Sequence, residues 1–194
     1  TAAKEEAKAK ADAAKTAIDN ATTNAGVDQA KANGTTEVNN VTPTPVAKPV
    51  AKKAVEDALA EKIKEIEANN DLTDEEKTAT KQEAQDKAAA AKTAIDNATT
   101  NAGVDQAKAN GTTEVNNVTP TPVAKPVAKK AVEDALADKI KEIESNNDLT
   151  DEEKSAAKQE AQDKAAAAKQ AIDNATTNAG VDQAKANGTT EVNN

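Results

Sequence analysis

"VTPTPVAKPVAKKAVEDALAEKIKEIEANNDLTDEEK", Val41 to Lys77, holds a chain breaker, a helix and a second helix start in one stretch. Pro43, Pro45 and Pro49 cannot all sit in helix interiors, and each pushes the residue before it towards an extended conformation. The segment "VTPTPVAKP" therefore reads as a connector of polyproline character, a semi-rigid spacer. Pro49 suits the first position of a helix. Behind it Val50, Ala51, Ala54, Val55, Ala58, Leu59, Ile63 and Ile66 recur at three- and four-residue spacing as one apolar stripe. That helix is expected to stop near Ala68 to Asn70, because Asn tolerates a left-handed cap.

A second helix starts at "LTDEEK". Thr73 is its N-cap, Glu76 three residues on closes a capping box, and Asp74 and Glu75 sit favourably at the positive helix end. Its seam is Ala84, Ala88, Ala91, Ile95 and Ala98, a narrow stripe spaced 4-3-4-3. A third helix opens with Asn101 as the expected cap and carries Val104, Ala107, Gly111, Val115 and Val118 inward. A mid-helix Gly costs about 1 kcal/mol against Ala, so Gly111 on the seam implies close helix contact.

Self-similarity extends this reading to the whole chain. "AIDNATTNAGVDQAKANGTTEVNN" begins at Ala17, Ala94 and Ala171, so the period is 94 − 17 = 171 − 94 = 77 residues. Comparing residues 1–77 with 78–154 leaves seven differences, among them Glu61/Asp138 and Ala68/Ser145, so no copy has a private site. The expected fold class is all-α: tandem three-helix bundles joined by proline-rich connectors in an elongated head-to-tail rod. Residues 1–40 are expected to be a partial repeat of second and third helices only. Residues 41–117 and 118–194 are expected to be complete three-helix repeats, with bundles at about 47–117 and 124–194. An odd number of antiparallel helices puts the entry and exit of each bundle at opposite ends. With an extended connector, each period is expected to add about 50–60 Å, and less if bundles abut.

Composition removes most chemistry. The 194 residues include no Cys, His, Met, Phe, Trp or Tyr, and all 25 basic residues are Lys. That leaves no imidazole base, no thiol and no soft metal ligand, and Ser145 and Ser155 have no His to activate them. The chain is read as not an enzyme, with no catalytic, cofactor-binding or metal residues and no cofactor. A net charge of −9, with neither aromatic platforms nor Arg, argues against nucleic acid and against anionic membrane surfaces as partners. No apolar run is long enough for a signal segment or a membrane span, and the chain reads as a piece of something longer. A monomer is expected, its partners being neighbouring repeats of the same chain and, in one reading, a host extracellular protein.

Three motifs have simpler explanations. "NNDLTDEEK" alternates Asn69, Asp71 and Thr73 like a calcium loop, but it lacks the Gly at the sixth position and the Glu at the twelfth, which favours a helix cap. Sequons at Asn97, Asn110 and Asn117 arise readily in a chain so rich in Asn and Thr. "EKIKEIE" at Glu61 to Glu67 reads as a solvated helix face with i,i+4 pairs.

"NNDLTDEEK" followed by "AKTAIDNATTNAGVDQAKANGTTEVNNVTP" resembles the repeated domain of unknown function found in tandem in cell-wall-anchored surface proteins of staphylococci, streptococci and lactobacilli. The likeness covers essentially the whole chain. It implies an extracellular, cell-wall-anchored location within a longer protein and a stalk that holds an adhesive domain away from the wall. It supplies no functional residues, since that family is not defined by a site. Albumin-binding and fibronectin-associated three-helix modules of the same large proteins imply an alternative, in which each bundle offers a helical face to a host protein.

Overall fold

A computed structural model describes residues 2–194, and among them every regular element is helical. The chain divides into two compact units, Thr1–Pro49 and Val50–Asn194. In the first, α1 (Ala2–Asp19) and α2 (Asn24–Asn39) pack as a hairpin, with Thr23 capping α2 through the Gly26 N–H. Gly34 lies against Ala14 there and is the buried residue of the pair.

The second unit contains α3 (Ala47–Ala68) from Val50 onward, α4 (Asp74–Asn97), α5 (Asn101–Asn116), α6 (Ala124–Ser145), α7 (Asp151–Asn174) and α8 (Asn178–Asn193). Helices α6, α7 and α8 pack on one another around Ala128, Val132, Ala165, Ala168, Ile172, Val181 and Val192. Subtracting 77 gives Ala51, Val55, Ala88, Ala91, Ile95, Val104 and Val115, all buried as well. The small residues set the helix spacing. A methyl group at Gly111 would overlap Ala91 Cβ, and one at Gly188 would overlap Ala168 Cβ, so α5 and α8 lie too close to their neighbours for any larger side chain. Ion pairs rim the seam: Lys52 with Asp96 at 2.5 Å, Lys92 with Glu56 at 2.7 Å, Lys81 with Glu67 at 3.2 Å and Lys169 with Glu133 at 3.1 Å. Each is partly exposed and worth at most about 1 kcal/mol, so together they set the helix register more than they add stability.

The structure departs from the sequence reading at the helix ends. Helix α3 begins at Ala47, which places Pro49 third; the first four helical N–H groups have no intrahelical partner, so the ring costs no hydrogen bond there. Val50 is 62% exposed instead of lying on the stripe, because Ala51, Val55 and Ile66 take the inward line. The cap of α5 is Thr100, whose hydroxyl accepts from the Gly103 N–H at 3.0 Å, and Asn101 is the first helical residue. No described residue has positive φ, so α3 does not end in a left-handed Asn. Asn69 instead accepts from the Asp71 N–H at 2.9 Å through its side-chain oxygen and turns the chain directly into α4.

Candidate functional site

No cluster of three or more His, Cys, Asp or Glu among the described residues is placed to hold a metal ion. None of the described helices is long and apolar enough to cross a membrane. The "NNDLTDEEK" oxygens serve the turn: Asn69 bonds Asp71, and Thr73 with Glu76 forms the capping box expected from the sequence. The same turn between α3 and α4 also carries the densest set of polar contacts between distant residues, where it meets the start of α6 and the turn between α7 and α8.

The local chemistry of α6 explains this meeting. Its N-cap is Val123, which has no side chain able to accept from the orphan N–H groups of a helix start. Glu76 supplies the missing acceptor. One carboxylate oxygen closes its own capping box on the Thr73 N–H at 3.0 Å, and the other accepts from the Val123 and Ala124 N–H groups at 2.9 Å each. Burial pushes the Glu76 carboxyl up. The hydrogen bonds from the Thr73, Ala124 and Val123 backbones and from the Thr73 side chain outweigh it and hold the group below the usual carboxylate range.

The same exchange is repeated at α8. Glu75 accepts from the Asn178 N–H, the first helical residue of α8, at 2.9 Å. In the other direction, Asp74, first residue of α4, donates its N–H to the Thr176 carbonyl at 2.7 Å, and the Thr73 hydroxyl donates to Asn178 Oδ1 at 2.7 Å. Negative side chains of α4 thus sit on the positive ends of α6 and α8.

Lys125 fastens the opposite polarity. It is 4% exposed, and its ammonium donates to the carbonyls of Asn70, just past α3, and Asp173, in the last turn of α7, at 2.7 Å each. A cation between two helix C-terminal ends satisfies carbonyls that have no intrahelical partner.

Repetition provides an internal control. Thr150, Glu152 and Glu153 are the copies of Thr73, Glu75 and Glu76, but among the described residues no helix start packs on them. Thr73 is fully buried and Leu72 is 2% exposed, whereas Thr150 is exposed and Leu149 half-buried. The Thr150 hydroxyl turns back to Glu153 at 2.9 Å, where Thr73 reaches Asn178. Burial of the turn is therefore a property of the junction and not of the turn itself.

The connector does not hold the two helix sets apart. Val118 is 3% exposed, and Val123 and Ala124 at the start of α6 are bonded to Glu76 of α4, so helices α3–α5 and α6–α8 touch directly and the extended-spacer length is not added. The sequence reading singled out Thr73, Asp74, Glu75 and Glu76 as the cap of α4 alone, and it did not single out Lys125. A signal was present: a helix with Val where Ser, Thr, Asp or Asn belongs, and a turn with three consecutive acids, one more than a capping box with a favourable helix-dipole neighbour needs.

Fold and junction define an all-helical tandem-repeat protein whose consecutive repeats cap each other's helices. The chain belongs to the family described as Domain of Unknown Function (DUF1542), which matches residues 1–46, 47–123 and 124–194. It is similar to "Extracellular matrix-binding protein EbhA" of Staphylococcus aureus (strain Newman), 31% identical over 169 residues, covering 87% of this chain and 5% of that protein. It is equally similar to "Extracellular matrix-binding protein ebh" of Staphylococcus aureus (strain NCTC 8325 / PS 47), at 31% over 169 residues and 2% of that protein's length. The chain thus spans a small fraction of these relatives. No solved structure matches it.

Proposed function

We propose that the chain is a spacer segment of a bacterial surface protein, extracellular and anchored to the cell wall as part of a longer polypeptide. In this reading, residues 47–117 and 124–194 are three-helix bundles, residues 1–40 supply the second and third helices of another, and the bundles stack end to end as a rod that projects an adhesive domain. The observation that carries it is the junction, where Glu75, Glu76 and Lys125 of adjacent repeats satisfy the helix ends that each repeat leaves open. The 24-residue α4 is about 36 Å long at 1.5 Å per residue, so direct stacking gives about 40–45 Å per repeat. Support for the surface location comes from the relatives' printed names and from the family.

The second reading, a module that binds a host matrix protein, is favoured by those same names. Against it stand the absence of aromatic residues and Arg, and exposed large apolar residues that amount, among the described residues, to two pairs of valines, Val46 with Val50 and Val123 with Val127. Incubating the chain with serum and fibronectin tests the choice: a spacer captures neither albumin nor fibronectin. Saturable capture of either would transfer the function to the binding reading.

A further inference from the structure

Asn is followed by Gly at three places in the chain, Asn33–Gly34, Asn110–Gly111 and Asn187–Gly188, and each pair lies inside a helix. In each the Asn is exposed and the Gly buried. Such a pair is chemically labile, because a Gly without Cβ lets its backbone nitrogen close on the Asn side-chain Cγ. Two features hold that reaction off in the folded chain. Gly111 and Gly188 lie within α5 and α8, where the helical ladder engages their N–H groups. Gln106 Nε2 donates to Asn110 Oδ1, and Gln183 Nε2 to Asn187 Oδ1, at 2.8 Å each, which turns both Asn side chains back along the helix and away from the Gly nitrogen that follows. The helix is in turn held from outside. Asn110, Gly111, Thr112 and Thr113 all form helix less readily than Ala, and a 16-residue helix of such residues is marginal alone. What keeps this segment helical is the seat of Gly111 on Ala91 and the burial of Val115.

We propose that Asn110 and Asn187 are deamidation sites gated by unfolding, which turn the opening of a repeat into a permanent covalent change. In an opened segment the Gly111 nitrogen bonds to Asn110 Cγ, the bond from Cγ to the side-chain nitrogen breaks, and ammonia leaves with the former amide proton. Water then opens the five-membered imide at either carbonyl and gives aspartate or isoaspartate at position 110. Water is the only co-reactant. In the isoaspartate product the main chain runs through Cβ and Cγ, so it is one atom longer before Gly111. The helix cannot then keep its register and also seat Gly111 on Ala91, and Val115, four residues on, does not return to the core. Asn187 stands in the same relation to Ala168 and Val192. A repeat held open by heat or by force is thereby marked and kept from closing.

The test ages the intact chain at mildly alkaline pH, folded in buffer or unfolded in concentrated urea, and maps isoaspartate and the deamidation mass gain by peptide mass spectrometry. Asn110 and Asn187 should deamidate faster in urea by about tenfold or more. In buffer, Ile95→Asp, which loosens the seam that α4 shares with α5, should raise the rate at Asn110. Returned to buffer, the urea-aged chain should regain helicity only in the fraction free of isoaspartate. A chain carrying Asn33→Gln, Asn110→Gln and Asn187→Gln, aged alike, should regain it in full, since Gln would have to close a slower six-membered ring. Equal rates in buffer and urea, no acceleration at Asn110 in Ile95→Asp, or full recovery of helicity by chains bearing isoaspartate at 110 and 187 would each overturn the proposal.

Discussion

Ile95 lies in the last turn of α4, a helix whose inward line is otherwise Ala84, Ala88 and Ala91, and it is fully buried. With so few large side chains, each carries a large share of the packing. Ile95→Asp leaves an unpaired charge in that core and should cost about 3 kcal/mol or more, lowering the thermal midpoint of a 41–117 fragment. An unmoved midpoint would disprove the seam. Gly188 makes the opposite kind of test. Gly→Ala in a helix interior ordinarily gains about 1 kcal/mol, but here the added methyl meets Ala168 Cβ, so Gly188→Ala should destabilise in urea unfolding. At this scale the sequence was largely legible: the 77-residue copies, the 4-3-4-3 Ala spacing and the seam Gly all follow from helical periodicity. Val50 was misjudged because the stripe it joined is broader than the face that α4 and α5 cover.

Single helices depend on the neighbouring repeat at their ends. The α6 start has no cap of its own, so Glu76→Ala should remove acceptors from the Val123 and Ala124 N–H groups and cost about 1–2 kcal/mol locally. Hydrogen exchange should show faster opening at those two amides, with the α7 core unchanged. Protonation should act in the same direction. Glu76 has its carboxyl lowered in the folded state, so its contribution is fully present above the unfolded value of about 4.3 and is lost as pH falls through the folded value. Protection of Val123 and Ala124 should therefore decline below about pH 4 in the wild type, and this decline should vanish in Glu76→Ala. Lys125→Ala leaves the Asn70 and Asp173 carbonyls without their donor and should destabilise the junction by about 1–3 kcal/mol. The helices themselves were readable from caps and periodicity. Their mutual capping was not, because the partners lie 47 to 105 positions apart in sequence and the local clue is a missing cap.

At the scale of the whole molecule, the proposed spacer is a chain of touching repeats with a fixed pitch. In the proposed three-helix reading, the odd helix number sends the polypeptide out at the far end of each bundle. Its prolines suggested a gap between bundles, which the hydrogen bonds from Val123 and Ala124 to Glu76 close. Small-angle scattering on proteins of one, two and three complete repeats measures the pitch directly. End-on stacking predicts a maximum dimension rising by a constant increment of about 40–45 Å per repeat. An increment near 55 Å or more would mean that extended connectors separate the bundles, and a two-repeat particle no longer than a single repeat would mean that they pack side by side; either result contradicts end-on stacking.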